Sequence, residues 1–320
     1  MRVSIIIRAY NEARFIAKLL MGIKKQEFTF VTSVEVILVD SGSTDSTVFI
    51  AENADLKIIH IAKENFSFGR ALNIGCNAAT GDFFIFASAH VYPLYTNWVE
   101  KMIQPFFKND KVALVYGSQT GNDLTKFSEQ KIFEKWFPPE SNYDQESPFC
   151  NNANCAIRRS IWLTQHYDET LTGLEDLAWA NKIISKGYKI VYESTAKVVH
   201  VHVETFEQIK NRYFREALAL KKIIPEVHFD IKDFIQHFIF NTFIDFYFAL
   251  KKRVFLVEFT NIILFRYKQF QGTYLGHKKK GAVSIELKNK FYYSSGISIK
   301  KDKELNHIID TNSVDKIEYI

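Results

Sequence analysis

The feature that most narrows the fold is an alternation in the first half of the chain, where short apolar runs are each followed by a segment of helical character. Val3–Ile7 reads as a buried first strand and Glu12–Ile23 as an amphipathic helix behind it. Val34–Val39 is the next strand. It ends at the turn-rich Asp40-Ser41-Gly42-Ser43-Thr44-Asp45, and a helix follows to about Asn53. Lys57–His60 is a short strand, Arg70–Ala79 a helix stopped by Gly81, and Phe83–Ala87 a very apolar strand. Strands and helices in this order build a largely parallel sheet. The topology is Rossmann-like. However, Arg8-Ala9-Tyr10-Asn11 stands after the first strand, where a dinucleotide binder carries its glycine fingerprint.

From about residue 111 to 202 strands and helices mix, around a polar loop near Pro138–Pro148. Past residue 205 the character changes: Thr205–Ile224 reads as a basic amphipathic helix, and Ile231–Phe270 is dense in phenylalanine and broken by Lys251-Lys252-Arg253. The tail from Lys278 is lysine-rich and weakly patterned, and no internal repeat is visible. The expected organisation is one α/β domain over residues 1–204, with a nucleotide-binding half (1–110) and an acceptor and catalytic half (111–204), then a helical, aromatic and basic region over 205–320. A chain of 320 residues, 47% of them hydrophobic, has the material for one large core and an appendage.

Charge and cysteine content remove whole classes of function. A net charge of +5 is mild for a nucleic-acid binder, so nucleic acid is not an expected partner; an anionic small molecule or a membrane surface suits it better. The three cysteines, Cys76, Cys150 and Cys155, form no CxxC pair, which argues against a disulfide framework or a cysteine zinc site and for a reducing compartment. The apolar run after Met1 is too short for a signal peptide, and no stretch reaches the ~18 apolar residues of a spanning helix. The expected location is the cytoplasm.

Ligands of a parallel α/β sheet sit at the carboxyl ends of its strands. Polar clusters fall at three such ends: Arg8–Glu12, Asp40–Asp45 and Ser88–His90. An aspartate there accepts a hydrogen bond from a base N–H, and a tyrosine covers the base face. Taken alone, Asp40–Asp45 is equally a turn with a helix N-cap; the convergence of three clusters is what favours a ligand.

Arg8-Ala9-Tyr10-Asn11-Glu12 and Val39-Asp40-Ser41-Gly42-Ser43-Thr44-Asp45 resemble the nucleotide-binding signatures of glycosyltransferase family 2. Phe68-Gly69-Arg70-Ala71-Leu72-Asn73-Ile74-Gly75 resembles its next block, and Gly173-Leu174-Glu175-Asp176 its Glu-Asp catalytic motif. The resemblance covers about residues 3–200 and implies a GT-A fold, here a mixed sheet flanked by helices with a C-terminal helical extension. It also implies a nucleotide-sugar donor and a saccharide or lipid-linked saccharide acceptor. Tyr10, Glu12, Asp40 and Ser41 are expected at the nucleoside, and Arg8, Arg70, Asn73, Ser88 and His90 near the rest of the donor. Uracil and thymine offer an N3–H to Asp40 and guanine a comparable N1–H, so the base stays open, with UDP- and dTDP-sugars the first expectation.

One departure from the family pattern bears on the cofactor. Relatives end the strand after Gly81 with an Asp-x-Asp pair that holds Mg²⁺ or Mn²⁺; this chain has Ser88-Ala89-His90. In one reading His90 replaces the second aspartate, as in the Asp-x-His motif of polypeptide N-acetylgalactosaminyltransferases, and His200 or His202 supplies the later histidine those enzymes use. Both lie on one strand face, and imidazole suits Mn²⁺ better than Mg²⁺. In the other reading no metal is needed, and His90 or Arg70 neutralises the leaving phosphate.

Glu175 and Asp176 open a helix, Glu175–Lys186, where acids commonly complement the dipole. Inverting transfer also requires a base to take the acceptor's proton. The family motif gives that role to Asp176, with Glu175 assisting. Asn152 and Asn154 are expected near acceptor or donor sugar, and Trp179 is either a sugar platform or core. Phe234–Phe248 is apolar nearly all round except for a stripe of His237, Asn241 and Asp245. It reads as a buried helix or as an interfacial one, with Lys251–Arg253 at anionic lipid on the inner face of the cytoplasmic membrane. The expected function is an inverting glycosyltransferase of bacterial surface polysaccharide (capsule or lipopolysaccharide) synthesis. The alternatives are a catalytically inactive nucleotide-sugar-binding scaffold and, more distantly, a nucleotidyltransferase.

Overall fold

The structure is a computed structural model that describes residues 1–281 together with 283, 284, 287, 291, 292 and 316–319. The other positions of the lysine-rich tail, and the expectation attached to them, lie outside the described residues.

The alternation in the first half becomes β1 (Arg2–Ala9), α1 (Ile16–Lys24), β2 (Ser33–Asp40), α2 (Thr47–Glu52), β3 (Lys57–His60), α3 (Phe68–Ala78) and β4 (Phe83–Ser88). β1 is central. β2 pairs with it on one side and β4 on the other, both parallel, with Ala9 opposite Asp40 and Arg8 opposite Ser88. Its run Ile5-Ile6-Ile7 is continuous because helices cover both faces, so alternate residues enter separate core clusters on the two sides of the sheet.

The chain continues through β5 (Val91–Pro93), α4 (Trp98–Ile103), α5 (Pro105–Lys108), β6 (Val112–Thr120), α6 (Phe127–Trp136), β7 (Asn142–Gln145), β8 (Asn154–Arg158), α7 (Arg159–Trp162), α8 (Glu175–Ser185) and β9 (Lys189–His200). Among the described residues the sheet runs β3-β2-β1-β4-β8-β6-β9-β5, with β7 beside β9. β8 is antiparallel to β4 and β6, which makes the sheet mixed. The antiparallel pairing of β5 with the end of β9 sets Val91 opposite His200, so His90 lies beside the last residues of β9. His200 ends that strand and His202 follows it.

Three helices complete the described chain: α9 (Phe206–Ile223), α10 (Ile231–Lys251) and α11 (Phe255–Lys278). α9 and α10 each start at a reciprocal capping box, Thr205 with Gln208 and Asp230 with Asp233. α11 packs closely along α9 because Gly272 and Gly276 face it: a Cβ on Gly272 would strike the Lys210 carbonyl, and one on Gly276 the Ala217 methyl. α10 joins α11 through a fully buried ion pair in which Arg266 grips Asp245 with Nε (2.7 Å) and Nη2 (2.9 Å) and donates from Nη1 to Gln269 (2.8 Å). The polar stripe of α10 therefore turns inward towards its C-terminal end, with Asp245 buried and Asn241 half-buried, while His237 is exposed. Ile235, Ile239, Phe243, Tyr247 and Leu250, four residues apart for most of their length, are exposed.

Candidate active site

The carboxyl ends of β1 and β4, the loop before β8, the start of α8 and the end of β9 converge on a cleft of about 540 Å³. Of the residues expected from the sequence, it gathers Arg8, Tyr10, Glu12, Ser88, His90, Asn152, Asp176, His200 and His202. Its lip is fastened by contacts between the first two signature segments. Asn11 N–H donates to Ser43 Oγ (2.9 Å), Thr44 N–H to Asn11 Oδ1 (2.8 Å), and Glu12 N–H to Thr47 Oγ1 (2.7 Å).

The two acids at the start of α8 have separate environments. Glu175 is buried and accepts from Arg8 Nη1 at 2.9 Å. Asp176 is half-buried and accepts from the N–H groups of Asn152 (3.1 Å) and Leu177 (2.8 Å). Burial, with the neighbouring Glu175 charge adding to it, pushes the Asp176 carboxyl up to about 7. Leu174, directly before them, has φ +54°, a left-handed conformation that leucine adopts at a cost of ~1–3 kcal/mol. Asp176 also borders a second cleft of about 800 Å³, lined mostly by apolar groups and walled on its far side by α10 and α11. The two clefts share Asn151, Asp176, His200, His202, Arg212 and Glu216.

Beside Asp176 lie the histidines. One ligand-capable atom of each of His90, His200 and His202 falls within 4.8 Å of the others. Each Nδ1 meets an oxygen: His90 that of Glu12 (2.6 Å), His200 that of Gln119 (2.6 Å) and His202 that of Glu129 (3.0 Å). His200 Nε2 is buried and has no partner. Burial, followed by the two other histidines, holds the His200 pKa well below its usual value. At His90 burial also acts to lower the pKa, but Glu12 outweighs it and the net shift is upward. A buried imidazole nitrogen with a lone pair and no hydrogen-bond partner is what a cation ligand requires, so these residues fit a divalent ion. A second group of Glu129, His202 and Glu204 is also close-set. Its carboxylates are occupied by Arg212, which donates to Glu129 (2.8 Å) and Glu204 (2.7 Å).

Of the two readings open for Trp179, the structure shows core: it is 1% exposed, with its indole N–H donating to the Gln165 carbonyl. Several other sequence expectations need correction. Asn154 is fully buried, and its amide is used up by Ser118, Ala196 and Trp98. Asn73 likewise is a buried staple between α3 and the 162–169 segment, bonded to Trp162, Tyr167 and Glu169. Arg70 is exposed and faces Glu169 at 3.8 Å, away from the cleft. The Glu12 carboxylate is committed to His90 rather than left open for a nucleoside. Ser41 is buried, and its hydroxyl donates to the Ala9 carbonyl. Asp40 caps its own turn, accepting from Gly42 and Ser43 N–H, with His60 Nδ1 3.3 Å away. Asn152 fits better: it lines the cleft, and its buried Nδ2 has no partner.

Sequence reading missed the contribution of α9. Its arginines turn inward: Arg212 and Arg215 line the cleft, and Arg215 stands over the Phe68 ring at 4.7 Å, as Arg8 of β1 does at 5.0 Å. Arg215 Nε is buried without a partner. The inward phase of the helix was available in the pattern Ile209, Arg212, Glu216, but in the sequence the segment read only as a basic amphipathic helix with no partner assigned. Gln119 and Glu129 carried no signal, because single polar residues next to apolar runs are common.

An open mixed sheet with this polar cleft at its strand ends, and helices packed behind it, is the architecture of a GT-A glycosyltransferase. The mannosyltransferase PcManGT of Pyrobaculum calidifontis, solved with GDP-Man and Mn²⁺, shares the fold at TM-score 0.55 and 18% identity, over 92% of this chain and 88% of that one. The profile described as "Glycosyl transferase family 2" matches residues 4–163, half of the chain, and the protein belongs to that family. The O-antigen chain rhamnosyltransferase RfbN of Salmonella typhimurium is 27% identical over 67% of this chain and 71% of its own length. The O-antigen chain rhamnosyltransferase WbaN of Salmonella anatum is 31% identical over 56% of this chain, which spans 60% of WbaN.

Proposed function

We propose that this glycosyltransferase moves a sugar with inversion from a nucleotide-sugar to a saccharide or lipid-linked acceptor in surface polysaccharide synthesis, with Asp176 as the general base. The observation that carries this is the meeting of two clefts at one half-buried carboxylate whose pKa is raised to about 7. The smaller cleft suits the donor. Tyr10, which lines this cleft, would meet the nucleoside, and Arg8 and Arg215 would supply positive charge for the diphosphate. The larger cleft suits the acceptor, whose hydroxyl would reach Asp176 from the side of α10. Asn152, with its unpartnered Nδ2, and Glu175, held by Arg8, position the groups around that carboxylate. The O-antigen relatives support the polysaccharide setting, and a UDP- or dTDP-sugar remains the preferred donor class.

His90, His200 and His202 would hold a divalent cation, Mn²⁺ in preference to Mg²⁺. When bound, such an ion neutralises charge on the leaving diphosphate. The protein's own residues do the rest: Arg8 and Arg215 hold the donor, and Asp176 takes the acceptor's proton.

We further propose that the outer faces of α10 and α11 rest on the inner face of the cytoplasmic membrane. No helix among the described residues is long and apolar enough to cross one. Phe243 is 67% exposed, Leu256 90% and Val257 76%, beside the exposed Lys251, Lys252 and Arg253. Apolar groups next to cations suit an anionic interface.

The test is a panel of nucleotide-sugars assayed for binding and for release of nucleoside diphosphate, with EDTA and with added Mn²⁺. One donor should bind and turn over, faster with Mn²⁺. Binding without turnover on any donor or acceptor extract would favour the inactive scaffold reading instead.

A further inference from the structure

The contacts on the outer sides of the three histidine rings repeat a single pattern. A carboxylate or amide oxygen only accepts, so each Nδ1 must carry the proton and donate it: His90 to Glu12, His200 to Gln119 and His202 to Glu129. In a neutral ring this leaves Nε2 as the bare lone pair on all three. The rings are also held sideways. His90 stacks on His200 at 5.0 Å, His202 meets His200 edge-on at 4.1 Å, and Phe133 lies against both later rings at 5.6 and 5.9 Å.

We propose that Gln119, Glu129 and Glu12 are positioning residues of a three-histidine cation centre, and that its imidazole nitrogen donors take a borderline transition-metal ion and refuse Mg²⁺. The inference rests on the cation reading of the histidines given above and adds the residues that aim them and the class of metal they select. Oxygen partners behind ligating imidazoles fix the tautomer and raise the basicity of the donor nitrogen. Mg²⁺ prefers hard oxygen ligands and sheds water reluctantly, whereas imidazole suits the later first-row ions. Three of the carboxylates near the centre are withheld from a cation: Glu12 and Glu129 face Nδ1 atoms, and Arg212 grips Glu129 and Glu204. Arg212 lies on α9, so the C-terminal helices help to hold the third ring.

Gln119 gives the cleanest test, because it has no other hydrogen-bond partner for its side chain: its Oε1 meets His200 and its buried Nε2 meets nothing. The full chain is titrated with Co²⁺, alone and with UDP, following visible absorption and heat. The wild type should bind Co²⁺ with a nitrogen-ligand spectrum that excess Mg²⁺ leaves in place. Gln119→Met keeps the volume and loses the acceptor, and should bind ~10–100-fold more weakly with an altered spectrum. Gln119→Glu restores the acceptor and should restore both affinity and spectrum. Equal affinity and spectrum in Gln119→Met, or displacement of Co²⁺ by Mg²⁺, would overturn the inference while leaving a cation site in place. Unchanged Co²⁺ binding in His200→Ala, or none in the wild type, would instead remove the cation reading on which it rests.

Discussion

A carboxylate that takes a proton near neutral pH works best with a pKa near neutrality, and Asp176 reaches that range through burial and the Glu175 charge. Two results follow. The rate of transfer at low substrate should rise with pH through about 7, as Asp176 loses its proton, and a flat profile across that range would deny it the role. Stability should run the other way. The folded pKa of about 7 lies above the ordinary aspartate value of 3.8, so the stability Asp176 contributes is complete below the lower value and is lost as pH climbs through the upper one. Replacing it with Asn should therefore raise the melting temperature of the protein more at alkaline pH than at acid pH, as read by thermal scans. At this scale the sequence was informative about position: Asp176 and His90, singled out from their motifs, line one cleft. It misled where a polar side chain had a structural use available. Asn73 and Asn154 sit in motif-like positions but spend their polar groups inside the protein, and only the fold reveals those partners.

Among the elements, α10 is the least ordinary, since it buries Asp245 and exposes Phe243. The buried pair with Arg266 ties α10 to α11, and removing one member of such a pair leaves an uncompensated charge. Asp245→Ala should cost ~3–5 kcal/mol in urea unfolding, and a loss within the range of a surface substitution would show that the helix pair is held by something else. The outward face makes a separate prediction. Phe243→Asp combined with Leu256→Asp should leave the fold intact but abolish co-sedimentation with anionic vesicles; retained binding would take the membrane reading away. The i, i+4 stripe of His237, Asn241 and Asp245 was plain in the sequence, yet its direction was not. Periodicity locates a stripe on a helix but does not say which side meets the rest of the protein. The strands β1 to β4 were easier, because runs such as Ile5-Ile6-Ile7 are apolar on both faces and have no alternative to burial.

Taken as a whole, the molecule brings residues that are far apart in sequence to a single point. β1 supplies Arg8, the β4–β5 link His90, β8's leading loop Asn152, α8 Asp176, β9 His200 and α9 Arg215. The order of strands and helices predicted the neighbourhoods of Arg8 and His90, and the family resemblance pointed to Asn152 and Asp176. The contribution of α9 depended on a packing contact, with Gly272 and Gly276 of α11 pressed against it, that no motif encodes. The central claim is that this convergence places a base, Asp176, between donor and acceptor. The most direct test is the initial rate of sugar transfer by Asp176→Asn relative to wild type, measured at saturating donor with nucleotide affinity determined on the same preparation. The account predicts a rate lower by ~10²–10⁴-fold with nucleotide affinity retained; near wild-type turnover in that variant would contradict it.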